Sequence, residues 1–133
     1  MNINSTSTLH QIKAAFHALF PYLKLEFYKH DHQDHETSSK TDHLMADKRI
    51  SEIVGHDVEV DINVSPGMTA GEFENLFFKA TGVGVQVFRN SNGVWLQTSA
   101  TDDWTLEKQN GKGERSESDY DIEPVDISDF DVE

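Results

Sequence analysis

TAGEFENLFFKATGVGVQVFRNSNGVWLQTSA, residues 69–100, changes its hydrophobic period at Gly82. Before Gly82 the apolar residues recur at helical spacing, and Thr69 with Glu72 fits a capping box. After Gly82 two alternating runs flank an Asn-Ser-Asn-Gly loop, which predicts a β-hairpin. A helix that leads directly into a hairpin indicates helices packed on a sheet.

Upstream segments show the same two periods. Residues 7–21, STLHQIKAAFHALFP, place apolar side chains on one helical stripe that ends at Pro21. Residues 22–30, YLKLEFYKH, alternate as a half-buried strand does, and so do residues 57–67, DVEVDINVSPG. The weaker spacing of residues 45–55, MADKRISEIVG, predicts a short helix.

A short helix is also predicted in residues 101–113, TDDWTLEKQNGKG, with Thr101 or Asp102 as its cap and Gly111 as its stop. The order of elements is then α-β-(α)-β-α-β-β-α. A helical crossover makes the second and third strands parallel, whereas the hairpin makes the third and fourth antiparallel. We therefore predict a single α+β domain over residues 1–113, with helices packed on a mixed four-stranded sheet.

The charge of the chain is concentrated at its C-terminal end. Residues 114–133 hold nine acids and one base, a charge of −8, whereas the other 113 residues hold 15 acids and 10 bases, a charge of −5. We expect this acidic tail to be disordered, because alone it buries too little apolar surface to offset its ordering entropy. Its alternation of acids with apolar residues is also typical of interaction tails. A net charge of −13 without a basic cluster argues against binding to nucleic acid or to an anionic membrane.

The composition also restricts compartment and chemistry. The chain has no cysteine, which excludes disulfides, thiolate metal sites and a cysteine nucleophile. Its first residues are neither basic nor apolar, and no apolar run is long enough to cross a bilayer. We expect a cytoplasmic protein without a cofactor, as a monomer or a weak dimer.

Two quoted segments carry a resemblance to known sequences. VQVFRNSNGVWLQTSATDDWTLEKQNGKG, residues 85–113, resembles the most characteristic segment of a small bacterial protein family with no established activity. NSTSTLHQIKAAFHALFPYLKLEFYKH, residues 4–30, resembles the opening of the same family. The resemblance implies a shared fold and carries over no catalytic residues.

Two acidic clusters invite a chemical interpretation. HDHQDHE, the loop from His30 to Glu36, holds three histidines and three carboxylates, which are metal-ligand types. A solvated loop explains the same composition, because a metal site also needs oriented ligands and a second shell. Asp102 and Asp103 lie beside Trp104, but adjacent helical residues point about 100° apart, so helix capping explains them better than acid–base catalysis. We predict no catalytic residue and no metal ligand.

The hairpin offers the best candidate binding surface. Its pattern pairs Phe88 with Trp95 on one face and turns Val94 and Leu96 towards the helices. Aromatic residues dominate contact hot spots, although the helix of Trp104 or the tail is an alternative cover for the pair. The predicted partner-binding residues are Gln86, Phe88, Trp95, Gln97 and Trp104.

These observations favour a non-enzymatic binding or adaptor module whose partner is another protein or a small ligand. The alternative is a metal-dependent enzyme or a metal-binding protein that uses the loop from His30 to Glu36.

Overall fold

The structure is a computed structural model of the chain and describes residues 1–28 and 47–118, the side chain of Ser118 excepted. The loop from His30 to Glu36 and residues 119–133 lie outside the described residues, so the predictions made for them stay predictions. The elements in chain order are β1 (Asn2–Asn4), α1 (Leu9–Leu19), β2 (Leu23–Tyr28), α2 (Ile50–Val54), β3 (Glu59–Asp61), α3 (Ala70–Thr81), β4 (Gly84–Ser91), β5 (Val94–Gln97), a 3-10 turn (Ser99–Thr101) and α4 (Leu106–Ser118).

The predicted α+β class and the single domain are confirmed, but the strands are arranged differently from the prediction. Strands β2, β4 and β5 form an antiparallel sheet in that order, and β1 pairs with β3 in a separate antiparallel sheet. The predicted mixed four-stranded sheet was therefore wrong. The crossover rule applies only to strands of one sheet, and β3 pairs instead with the three-residue strand β1, which is too short for its alternation to be recognised.

The core lies between one face of the larger sheet and the helices α1 and α3. Leu23 and Leu25 of β2 and Val87 of β4 are fully buried on this face. Phe16 of α1 meets Phe73 of α3 with ring centroids 4.9 Å apart, within the range of favourable aromatic pairs. Both helices are thereby fixed to each other as well as to the sheet.

The hairpin turn is tighter than the sequence pattern predicted. Asn92 and Gly93 have positive φ angles of 52° and 92° and form a two-residue turn, the conformation for which Asn-Gly is favoured. Trp95 therefore lies opposite Asn90, and Phe88 lies opposite Gln97, so the predicted pair of Phe88 with Trp95 was wrong by two residues. A shift of two residues keeps every side chain on its predicted face, because side chains alternate with period two.

Helix α4 continues past its predicted stop at Gly111 and ends at Ser118. The helix packs closely against the sheet at Gly113. A Cβ at this position would lie 2.8 Å from the Cβ of Tyr22 and 3.0 Å from the carbonyl oxygen of Asn90. Gly113 thus allows the helix to approach the sheet rather than ending it. The last turn reaches the hairpin, where the Asn92 N–H donates to Ser116 Oγ at 2.8 Å.

Candidate binding site

A groove of about 350 Å³ lies where the polar side of α1 meets the outer face of the larger sheet. We call it the Trp95 groove. Its lining residues are His10, Lys13, Ala14, His17, Lys24 and Trp95.

The α1 wall of the groove is one stripe of the helix. His10, Lys13, Ala14 and His17 are spaced three, four and seven residues apart, so their side chains project from the same side. The apolar stripe of α1, which includes Leu9, points into the core instead. The stripe therefore presents three basic or titratable groups to the groove.

The floor of the groove places an ammonium group against two aromatic rings. Lys24 of β2 lies opposite Phe88 of β4, so the two side chains share the outer face of the sheet. The Nζ atom of Lys24 is 5.0 Å from the ring centroid of Trp95 and 5.5 Å from that of Phe88. These distances are within cation–π range, and the two rings hold the ammonium in position.

Glu26 joins the two lysines of the groove. Its Oε2 atom is 3.0 Å from Lys13 Nζ and 3.1 Å from Lys24 Nζ. Burial raises the pKa of Glu26, but the hydrogen bonds and positive charges of the two lysines outweigh it and hold that pKa below its usual value. Two ammonium groups against one carboxylate leave a local charge of +1 in a chain whose net charge is −13.

His17 is oriented by the backbone. Its Nδ1 atom is 2.8 Å from the carbonyl oxygen of Leu23. Because a carbonyl only accepts, Nδ1 carries the hydrogen and donates it. The Nε2 atom of the neutral ring is then the acceptor.

The structure brings three of the five predicted binding residues to the outer face. Phe88, Trp95 and Gln97 are each half-buried there. Gln86 points to the same face but is fully buried, and its Nε2 donates to Glu74 Oε2 at 3.3 Å. Gln86 therefore belongs to the internal hydrogen bonding of the fold.

Trp104 lies on the other side of the sheet. Its ring is 5.7 Å from Arg89 Cζ, and Arg89 points away from the face of its neighbour Phe88. Lys108 Nζ is 4.2 Å from the same ring centroid. Trp104 thus takes part in a second cation–π cluster and does not cover the groove.

The exposure of the side chains of edge strand β5 also differs from the prediction. Val94 and Leu96 were expected to face the helices, but they are 59% and 40% exposed. Helices α3 and α4 pack against β4, so the edge strand extends beyond their cover.

Asp102 and Asp103 do not form a site together. The backbone carbonyl of Asp102 accepts a hydrogen bond from the Gly71 N–H at 2.7 Å, and its side chain is buried, whereas Asp103 is exposed. The predicted cap at Thr101 or Asp102 was wrong. Helix α4 begins at Leu106, and the hydroxyl of Thr105 accepts the Lys108 N–H at 3.1 Å.

Sequence reasoning missed the α1 wall and Lys24. The missed signal was the helical spacing of His10, Lys13 and His17, which lie beside the apolar stripe that defined the helix. Nothing in the sequence placed this wall beside Trp95.

Within residues 1–28 and 47–118, no cluster of three or more histidine or acidic side chains could hold a metal ion. In the same part of the chain no helix combines the length and apolar character needed to span a bilayer.

Comparison with protein-family models, with curated proteins and with solved structures finds no match to this chain. The resemblance of residues 85–113 to a bacterial family therefore stays an expectation.

Proposed function

We propose that the chain is a non-enzymatic cytoplasmic binding or adaptor module, and that its Trp95 groove receives a carboxylate together with a neighbouring apolar group of the partner. The observation that carries the proposal is the Lys24 ammonium, held 5.0 Å from the Trp95 ring and 5.5 Å from the Phe88 ring. A positive charge beside an aromatic surface suits a ligand that is anionic at one end and apolar at the other.

The contacts of such a ligand follow from the lining. Its carboxylate would accept charge-assisted hydrogen bonds from Lys24 and Lys13. Its apolar or aromatic part would stack on Trp95 beside Phe88. Lys13 and Lys24 are positioned before the ligand binds, because Glu26 holds both ammonium groups and the two aromatic rings restrain that of Lys24.

The groove is better suited to binding than to proton transfer. Glu26 has a pKa below its usual value, so near neutral pH its carboxylate is ionised and does not act as a general acid. The same oxygen already accepts from Lys13 and Lys24, which weakens it as a base.

We expect the partner to be another protein or a small ligand, with the chain itself a monomer or a weak dimer. The net charge of −13 disfavours nucleic acid as the partner, because a polyanion would be repelled by most of the surface.

The test is an NMR titration of the full ¹⁵N-labelled chain with N-acetylphenylalanine and, separately, with its uncharged amide. The acid is expected to shift the Trp95 indole N–H and the amides around Lys24, and the amide analogue to do so much less. The Trp104 indole, on the other side of the sheet, is the internal reference.

A matched pair of lysine variants tests the site. Lys24→Gln removes the ammonium beside Trp95, and Lys108→Gln removes the one beside Trp104. Binding of the acid should be lost in the first variant and kept in the second. Equal shifts with the acid and the amide analogue, or binding that survives Lys24→Gln, would contradict the proposal.

A further inference from the structure

We infer that residues 119–133 of this same chain occupy the Trp95 groove when no partner is bound, so that a partner has to displace them. This inference rests on the proposed function, since it assigns the first occupant of the same groove. It follows from the exit point of α4, from charge and from the side chains of the segment.

Helix α4 delivers the chain to the hairpin that carries Trp95. The Asn92 N–H donates to Ser116 Oγ at 2.8 Å, and Asn90 lies opposite Trp95 in the strand pair. The helix ends at Ser118, two residues beyond this contact. Fifteen residues follow. Extended, they span up to about 50 Å, several times the roughly 10 Å between packed layers. The segment can therefore pass around the hairpin turn to the outer face.

Electrostatic attraction favours the Trp95 groove over most of the remaining surface as the docking site of residues 119–133. Residues 119–133 hold seven acids and no base, which leaves a charge of −6 on residues 1–118. The chain as a whole therefore repels the segment, and only a local positive site attracts it. Lys13 and Lys24 provide such a site beside an aromatic floor, with His10 and His17 on the same wall.

The segment also carries side chains suited to the apolar part of the groove. Its acids are interleaved with Tyr120, Ile122, Val125, Ile127, Phe130 and Val132. A carboxylate and an aromatic or aliphatic side chain therefore occur within one or two residues of each other along the whole segment. The tether keeps the effective concentration of the segment at about millimolar, so a weak intrinsic affinity is enough for substantial occupancy.

A second cationic aromatic cluster is the competing location. Lys108 lies over Trp104 on the opposite side of the sheet. The Trp95 groove is favoured because its two lysines border a concave volume of about 350 Å³, whereas Arg89, the second cation beside Trp104, is buried. The two tryptophans are the only ones in the chain, so their indole signals report separately on the two locations.

The experiment uses a nitroxide spin label on the full chain. Because the chain has no cysteine, Ser128→Cys creates a single attachment point in the segment. Docking is expected to broaden the Trp95 indole signal strongly and the Trp104 signal weakly, and high salt should reverse the broadening. Trp95→Phe assigns the two signals.

Two sets of variants connect the broadening to charge. Lys13→Gln with Lys24→Gln should abolish it, whereas Lys108→Gln should leave it. Asp126→Asn with Asp129→Asn should weaken it without changing any described residue. The spectrum of each reduced, diamagnetic sample verifies that the fold is intact.

Three results would overturn the inference: no selective broadening of either indole, broadening of Trp104 alone, or equal broadening of Trp95 when spin-labelled ¹⁴N chains are mixed with ¹⁵N chains that lack the spin label. The last result would assign the groove to the segment of a second copy. None of the three affects the titration with N-acetylphenylalanine, so failure of the inference is distinguishable from failure of the proposed function.

Discussion

Two glycines of helix α4, placed two residues apart, are predicted to respond in opposite ways to alanine. At Gly111 an added Cβ would have Arg115 Nη1, the end of a flexible side chain, as its nearest neighbour at 3.4 Å. Alanine is about 0.8–1.0 kcal/mol better than glycine in a helix interior. Gly111→Ala is therefore expected to stabilise the chain by up to about 1 kcal/mol.

Gly113→Ala meets the sheet instead. Its Cβ would lie 2.8 Å from the Cβ of Tyr22 and 3.0 Å from the Asn90 carbonyl oxygen, so α4 or the sheet has to shift. Overpacking of this kind costs about 1–3 kcal/mol, and the gain in helix propensity offsets up to about 1 kcal/mol of it. We expect net destabilisation of up to about 2 kcal/mol.

The assay is urea unfolding of both variants and the unmodified chain, followed by tryptophan fluorescence and by circular dichroism. The midpoint should rise for Gly111→Ala and fall for Gly113→Ala, with similar denaturant slopes. If both alanines stabilised the chain equally, α4 would not pack against Tyr22 and Asn90 as described.

Three further predictions concern the core, pH and metal. Phe77→Ala should cost about 3–5 kcal/mol in urea unfolding because Phe77 is fully buried, whereas Leu76→Ala, at a site that is 37% exposed, should cost far less; a reversed ranking would contradict the assigned faces. The folded-state pKa of Glu26 is lowered, so its stabilising contribution is present above its usual pKa of 4.5 and is lost as pH falls through the lower value. The difference in unfolding free energy between the unmodified chain and Glu26→Gln should accordingly change below pH 4.5, and a constant difference across that range would count against the ion pairs. Calorimetric titration with zinc should show no site tighter than micromolar, while a tight site abolished by changing His30 and His32 would favour the metal-binding alternative.

Local sequence signals predicted the start of α3 correctly, but not that of α4. The predicted capping box of α3 is formed, with the Glu72 N–H donating to Thr69 Oγ1 at 3.0 Å. Helix α1 begins with the same motif, in which the Gln11 N–H donates to Thr8 Oγ1 at 3.1 Å. The stop of α3 at Gly82 is also confirmed, with a left-handed φ of 85°. Each signal acts within three or four residues of chain, so nothing distant has to be known.

Features that depend on residues distant in the sequence were predicted less accurately. Gly111 and Gly113 have the same local meaning as helix stops, and only the approach of Tyr22 shows why the helix continues through them. Pairing of β3 with β1 joins residues more than fifty positions apart, and neither strand carries information about its partner.

The features of the Trp95 groove also divide into those set by local sequence and those set by tertiary packing. The amino-acid sequence by itself determined that Phe88 and Trp95 share a face, because alternation along a strand is local and survived the two-residue shift in register. Only the tertiary structure decided what stands beside them: the crossing of α1 over the edge of the sheet brings Lys13 to Glu26 and Lys24, and so opens a positively charged groove at Trp95. It also decided that Gln86 is buried, because Glu74 of α3 reaches the strand edge that β5 leaves uncovered. The physical reason is that side-chain direction is a property of one element, whereas burial and charge environment are properties of the elements packed around it.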